Sequence, residues 1–139
     1  MINTNDVRLG GMFDEDILTD EILNSPEFIP LAESETLLLL KKKGVEYSSL
    51  NESQLNIFNM AVLENVRAKC CSYMSVYILN EAKKVDKADI KYEKYATVQD
   101  WKNEAQAHLM KSNNYLDSVS NTSSNDSGEA YCVVVKWGE

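Results

Sequence analysis

The chain has 139 residues, of which 22 are acidic and 14 are Lys or Arg, so its formal net charge is -8. This length predicts a single domain, and a hydrophobic fraction of 44% is enough for a folded core. The acidic balance argues against a nucleic-acid-binding protein, which needs a basic face, and no apolar run approaches the ~20 residues that cross a bilayer.

The negative charge is concentrated near the start of the chain. Between Arg8 and Lys41 there are eight acidic residues and no basic one, and large apolar residues are interleaved with the acids. A solvating acidic tail would lack those apolar residues. Residues 1–28 are therefore predicted to be an acidic amphipathic arm that docks on a basic partner and is dispensable for folding of the rest. The residues expected to contact the partner are Phe13, Asp14, Asp16, Ile17, Asp20, Glu21 and Ile22.

Two kinds of local structure are expected within this arm. Residues 1–12 are predicted to be a flexible start, because they are polar and contain a pair of glycines. A short helix is predicted over residues 15–24, with Asp14 as its N-cap. Pro26 ends that helix, because the residue before a proline is pushed out of the helical conformation.

The next helix is predicted over residues 30–43. Pro30 suits the first turn, where its missing N–H costs no hydrogen bond, and Gly44 suits the position just after a helix. Four consecutive leucines at residues 37–40 make the helix apolar all round. This helix is therefore expected to be buried on more than one side.

The third predicted helix has the strongest pattern in the chain. Asn51 followed by Gln54 resembles a capping box, in which each side chain bonds the other residue's backbone N–H. Apolar residues then recur at helical spacing to about Lys83, giving a helix ~45 Å long that is expected to act as a spine shared with neighbouring subunits. Its stripe consists of Leu55, Phe58, Val62, Val66, Cys70, Tyr73 and Tyr77.

The helical pattern breaks over residues 84–96. Tyr92 and Tyr95 predict a short strand or a tyrosine-rich loop there, available to a partner. A fourth helix is predicted to open at Thr97, with an acid three residues later as in a capping box, and to end near Val119. The residues of its apolar face are Val98, Trp101, Ala105, Leu109 and Leu116.

The end of the chain combines a polar segment with a strand sequence. Residues 118–128 are rich in Ser and Asn and are predicted to be a linker, whereas residues 131–137 have strong β-propensity. A lone strand cannot satisfy its own backbone, so it is expected to pair with residues 84–96 or, preferably, with another polypeptide. The strand residues assigned to that contact are Tyr131, Val133, Val135 and Trp137.

Together these elements predict a mainly α fold. It is expected to be a small bundle of about four helices, one of them long and central, with an acidic N-terminal arm and a C-terminal β-strand tail. The predicted divisions are the arm at residues 1–28, a helical core domain at residues 29–119, and the linker and strand at residues 120–139.

No catalytic, cofactor-binding or metal-binding residue is predicted. His108 follows Glu104 by four residues, but two side chains do not make a metal site, and a solvent-facing histidine is expected. Cys70 and Cys71 lie on the long helix with no histidine close in sequence, so a core role is expected rather than a nucleophilic one. The sequence therefore favours an interaction protein, and an enzyme only if a partner chain supplies the missing groups.

The order of parts over residues 30–117 resembles that of a known family, the small helical head–tail connector (adaptor) proteins of tailed bacteriophages and prophages. A leading helix ends in lysines followed by Gly44, and a long helix follows over residues 55–79, with small residues at Ala61 and Ala68. After it come an intervening segment with Tyr92 and Tyr95 and a closing helix from Trp101.

This resemblance implies a structural role without catalytic residues. Subunits of that family form a ring beneath the portal and join the capsid to the tail. The implied partners are further copies of the chain, the portal protein and a tail-side stopper or tail completion protein. The implied location is the capsid–tail junction of a virion assembled in the bacterial cytoplasm.

Two further expectations concern location and an alternative role. The first 20 residues are polar and acidic, so no secretory signal peptide is predicted. The alternative function is a small cytoplasmic regulatory or adaptor module that captures a basic protein partner through the acidic arm.

Overall fold

The computed structural model describes residues 2–9, 13–85 and 87–127, and the regular structure within those ranges is helical. The helices are α1 (Thr4–Leu9), α2 (Asp20–Leu23), α3 (Ile29–Lys42), α4 (Glu52–Ala82) and α5 (Ala88–Ser127), and Tyr47–Ser49 form a 3-10 turn. The predicted mainly α fold is confirmed for this part of the chain, and α4 is its long central helix.

Helices α4 and α5 form an antiparallel hairpin that is the body of the fold. Asn51 begins α4 with the predicted capping box: its side chain accepts a hydrogen bond from Gln54 N, and Gln54 Oε1 accepts one from Asn51 N, both at 2.9 Å. The helix continues for 31 residues, or ~46 Å. Buried members of its predicted stripe are Phe58, Val62, Val66 and Cys70.

The inward stripe of α5 has spacings of three and four residues, as in closely packed helix pairs. It differs from the predicted face at one place: Leu109 is 41% exposed, and the neighbouring His108 lies inside at 5% exposure. Two polar residues thus sit within a helix face that was expected to be apolar. The stripe consists of Val98, Trp101, Ala105, His108, Ser112, Leu116 and Val119.

Helix α5 begins nine residues before the predicted Thr97, at Ala88. The strand or tyrosine-rich loop expected over residues 84–96 is therefore wrong, and Tyr95 lies on a helix with its side chain exposed. Ala, Lys and Glu around the tyrosines are strong helix formers, and their helix propensity outweighs the β-propensity of isolated aromatics. Thr97 is not an N-cap, because its hydroxyl donates 3.0 Å to the carbonyl of Glu93 within the helix.

The predicted linker at residues 118–128 is also wrong over most of its length. Val119 is fully buried and holds the helix against the bundle, and α5 continues to Ser127. Adding a residue to a formed helix costs little even for Ser and Asn, and no Pro or Gly intervenes before Gly128. The predicted strand at residues 131–137 lies outside the described residues.

Helix α3 matches its prediction closely at both ends. Pro30 lies in its first turn, and Gly44 follows it with φ +83°, a left-handed conformation that glycine adopts without strain. Val45 N donates to Leu40 O and Gly44 N to Lys41 O, which is a Schellman motif. Burial on more than one side is wrong for the described structure. Only one face is buried, with Ile29, Ala32, Thr36 and Leu40, while Leu31, Leu37, Leu38 and Leu39 are exposed.

The first 28 residues differ from the prediction in two ways. A helix forms before residue 10, and less helix than expected forms over residues 15–24. Residues 4–9 form α1, so a flexible start is wrong for the part of residues 1–12 that is described. The helix predicted over residues 15–24 is reduced to α2, whose N-cap is Thr19. Asp14 instead closes a tight turn, in which its side chain accepts a hydrogen bond from Asp16 N.

These residues pack on the hairpin of their own chain. Phe13 stacks on Trp101 of α5 with ring centroids 5.7 Å apart, and Phe28 meets Tyr73 of α4 edge to face at the same distance. Arg8 is paired with Asp20 at 2.6 Å and also donates to Leu18 O. The arm residues that join the common core are Val7, Phe13, Leu18, Leu23 and Phe28. The division drawn at residue 28 therefore does not follow a division of the core.

Candidate interaction groove and buried polar network

A network of polar side chains on α4 joins that helix to each of its neighbours. One side of α4 contacts α1 and α5 through Arg67 and Glu64, and another contacts α3 through Asn65 and Lys69. Buried polar groups must be paired to be tolerated, so each contact fixes how one element sits on α4. In the described structure, every buried side-chain polar atom has a hydrogen-bond partner.

Arg67 fastens the first helix. Its Nη2 donates 2.8 Å to Asp6 O, and its Nε donates 3.2 Å to Val7 O. Both carbonyls belong to the last turn of α1, where a helix has no internal donor for them. The positive charge also complements the negative end of the helix dipole. A guanidinium thus provides the C-terminal cap of α1 from another helix.

Glu64 links this arginine to α5. Its Oε2 lies 2.8 Å from Arg67 Nη1, and its Oε1 lies 2.6 Å from His108 Nδ1. Glu64 is 7% exposed and His108 is 5% exposed, so the predicted solvent-facing histidine is wrong. Glu104, the sequence neighbour considered for it, has its carboxylate 3.9 Å from His108 Nε2 and is itself exposed. One turn further along α5, Ser112 donates 2.7 Å to Ala61 O.

The contact with α3 is built from the other side of α4. Lys69 Nζ lies 2.7 Å from Glu35 Oε1, and Asn65 Nδ2 donates 3.3 Å to that same oxygen. Asn65 also donates 3.3 Å to the hydroxyl of Thr36, which in turn donates 2.7 Å to Ala32 O. These bonds set the rotation of α3 on α4, and hence which of its leucines face outward.

The two cysteines of α4 are core residues, as predicted. Cys70 and Cys71 are both buried, and burial raises the pKa of each thiol to about 12. The carboxylates of Glu104 and Glu64 add to the shift at Cys71. A nucleophile needs a populated thiolate and access to substrate, and neither thiol has them near neutral pH. The Glu64–His108 pair beside them therefore acts as a structural contact and does not activate a thiol.

Alkylation should report this protection. In a Cys132→Ser background, iodoacetamide at pH 8 is expected to modify Cys70 and Cys71 roughly 10³-fold more slowly in the native protein than in urea, because a rise in pKa of this size removes the thiolate. The protonated thiols favour the folded state below about pH 9, and that stabilisation is lost as the pH rises towards 12. Equal alkylation rates in the native and denatured protein would contradict the placement of both thiols.

An open groove of about 880 Å³ lies where the first 28 residues meet α3, α4 and α5. Its acidic members are Glu21, Glu27 and Glu35. Glu35 is neutralised by Lys69, whereas Glu21 and Glu27 are exposed and form no ion pair with a described residue. The apolar members are Ile22, Phe28, Ala68, Tyr73, Val76 and Leu109. An apolar floor beside unpaired carboxylates fits a partner that is both apolar and basic.

The structure separates the residues predicted to bind a partner into several groups. Glu21 and Ile22 come together in the groove. Phe13 is buried against Trp101, whereas Asp14, Asp16 and Asp20 are exposed and Ile17 is half-buried. Arg8 holds the pKa of Asp20 below its ordinary value through their hydrogen bond. Tyr92 and Tyr95 lie on α5, and Tyr131, Val133, Val135 and Trp137 lie outside the described residues. The binding roles of all these residues stay predictions.

Several groove residues were not expected at a binding surface. The sequence pattern places Leu109 in the core and predicts no role for Val76, yet both line the groove. Helical spacing along α5 does not decide this, because His108 and Leu109 lie about equally far from the centre of the stripe formed by Val98, Trp101, Ala105, Ser112, Leu116 and Val119. Glu27 and Tyr73 are brought together only by the fold, because the arm and α4 are distant in sequence.

Comparison with known proteins leaves the chain without an assigned family. No protein-family model, curated protein or solved structure matches it. None of the described helices combines the length and the apolar character needed to cross a bilayer. Among the described residues, no three or more His, Cys, Asp or Glu side chains are placed together so as to hold a metal ion.

Proposed function

We propose that this chain is a structural assembly subunit of the head–tail connector type, a helical adaptor that forms a ring and joins a phage capsid to its tail. The observation that carries the proposal is the outer face of α3. Leu38 is 54% exposed, and Leu31, Leu37 and Leu39 are each exposed beside it. Four leucines on the outside of one helix are typical of a surface that another chain covers.

The shape of the hairpin supports the same proposal. The contacts Glu64–His108 and Ala61–Ser112 fix the register of the two helices, so the last turns of α5 extend past the start of α4. With 40 residues, α5 is ~60 Å long, which exceeds the width of a small globule. An elongated subunit with outward apolar patches is suited to contact neighbours along its length.

In this proposal the portal protein and a tail-side stopper or completion protein are the other partners, and the virion's capsid–tail junction is the location. The chain's own side chains serve packing and docking, with no catalytic step assigned to them. The identity of the assembly rests on the resemblance of α3, with Gly44 after it, and of the long helix α4, since the intervening segment expected before Trp101 is already part of α5. The leucine face supplies the reason to expect an assembly.

The acidic groove favours the second candidate, an adaptor or regulatory module that captures a basic protein. In that case the surface of α3 is incidental, and the unpaired carboxylates of Glu21 and Glu27 provide the contact. The two candidates differ in stoichiometry. A connector forms a many-subunit particle, and a regulator forms a small complex with one partner.

Native mass measurement tests the proposal. The purified chain of 15.7 kDa, alone and with the products of the neighbouring genes, is expected to give a discrete particle of many subunits. Leu38→Glu should dissociate the particle, because it places a charge in an apolar contact. Asn113→Glu, which adds the same charge at an exposed site on α5, should leave it intact. A monomer or a one-to-one complex under all conditions would refute the connector role.

A further inference from the structure

The groove and the outer face of α3 are complementary in charge as well as in apolar character. The groove presents the carboxylates of Glu21 and Glu27 beside its apolar floor. The α3 face presents leucines that lead into Lys41 and Lys42, the last residues of the helix. Lys43, just beyond them, is occupied by an ion pair with Asp117 at 2.6 Å.

Both lysines are open to an acidic partner. Lys41 and Lys42 are exposed and form no ion pair with a described residue, and the same is true of Glu21 and Glu27. Lys69 and Glu35, which also line the groove, are paired with each other, so the charges left open to a partner are those of Glu21 and Glu27 in the groove and of Lys41 and Lys42 at the end of α3. Charges of opposite sign beside matching apolar surfaces steer two chains into one register.

We propose that the groove receives helix α3 of a second copy of this chain, with Lys41 and Lys42 of that copy facing Glu21 and Glu27. The inference rests on the self-assembly proposed above and names the surfaces that make the contact. Leucines of the incoming helix would cover Phe28, Val76 and Leu109 on the floor of the groove.

The placement of the two surfaces allows every copy to use both. Glu35 of α3 lines the groove, so the groove and the outer face of α3 lie next to each other. Each copy therefore offers one acidic and one basic surface. Such a contact either repeats around a closed ring or is exchanged reciprocally between two copies.

Charge-swap complementation tests this contact. Glu21→Lys/Glu27→Lys makes the groove basic, and Lys41→Glu/Lys42→Glu makes the end of α3 acidic. Each double variant alone is expected to self-associate at least ~10-fold more weakly than the wild type in sedimentation or mass photometry at low salt. A mixture of the two variants should regain association, because the basic groove then meets an acidic helix and the acidic groove meets a basic one.

A matched control and circular dichroism complete the test. Asp89→Lys/Asp100→Lys shifts the net charge on exposed positions of α5 by the same amount and in the same direction as the groove variant, and it should associate as the wild type does. All four positions swapped in the groove and α3 are exposed, so each variant should keep the wild-type helical spectrum. If both double variants assemble as the wild type does, this inference is overturned and the proposed assembly role is unaffected. If the wild-type chain alone stays monomeric at every concentration, the inference is overturned, even if the chain assembles together with a portal protein.

Discussion

Deletion of residues 1–28 is expected to unfold the protein rather than release a stable helical domain. The deletion removes five buried side chains, those of Val7, Phe13, Leu18, Leu23 and Phe28. Each contributes about 1.5–3 kcal/mol by burial, so the sum is comparable to the ~5–15 kcal/mol of stability that a whole domain has. Circular dichroism should show loss of helix and of a cooperative melting transition.

Two smaller changes separate the packing of the arm from its charge. Leu18→Ala is expected to lower the free energy of unfolding by about 2–5 kcal/mol, because Leu18 is fully buried. Glu15→Ala/Asp16→Ala removes two exposed acids and should change it by no more than ~0.5 kcal/mol per site. If the fragment starting at residue 29 were soluble and melted cooperatively, the arm would be an independent element as the sequence predicts.

The second large effect is expected at the Glu64 carboxylate. Glu64→Leu should destabilise the protein by about 3–5 kcal/mol in urea unfolding, because Arg67 and His108 lose their shared anion while both stay largely buried. His108→Leu should cost less, since Glu64 keeps its bond to Arg67. The double variant Glu64→Leu/His108→Leu should be more stable than the sum of the single changes predicts, by about 0.5–3 kcal/mol.

Glu104 supplies the control for this cycle. Its carboxylate is exposed and 3.9 Å from His108, so Glu104→Ala should change the free energy of unfolding by less than ~1 kcal/mol. Additive effects of Glu64→Leu and His108→Leu would show that the two side chains do not interact. That result would remove Glu64–His108 as a link between α4 and α5 and leave the bond of Ser112 to Ala61 O.

Helix boundaries show what local sequence patterns could predict and where they failed. The pairs Asn51–Gln54 and Thr97–Asp100 look alike as capping boxes, yet only the first begins a helix. The residues before Asn51 end a separate turn, whereas those before Thr97 are already helical. A capping motif inside a helix-forming stretch leaves the Thr hydroxyl free to bond the carbonyl four residues earlier, as Thr97 does with Glu93.

Tertiary partners account for the rest of the differences. His108 is buried because it pairs with Glu64, which lies 44 residues away in the sequence. The pattern of apolar residues along α5 contains no information about that pairing. The sequence pattern shows that the arm is amphipathic, but it does not show that apolar arm residues pack on the hairpin of the same chain. Phe13 finds Trp101 in its own chain, and no local pattern distinguishes that contact from one with another protein.

The packing of the arm has a consequence for synthesis on the ribosome. Phe13 and Leu18 leave the ribosome early, but the hairpin that buries them includes Trp101, which emerges much later. At about 5–20 residues per second the delay between the arm and Trp101 is roughly 4–15 s. During that interval the acids between the apolar residues act as gatekeepers, since charge interrupts the hydrophobic runs that drive aggregation. The acidic residues of the arm thus contribute to the net charge of the folded protein and also keep the nascent arm soluble until the hairpin on which it packs has been synthesised.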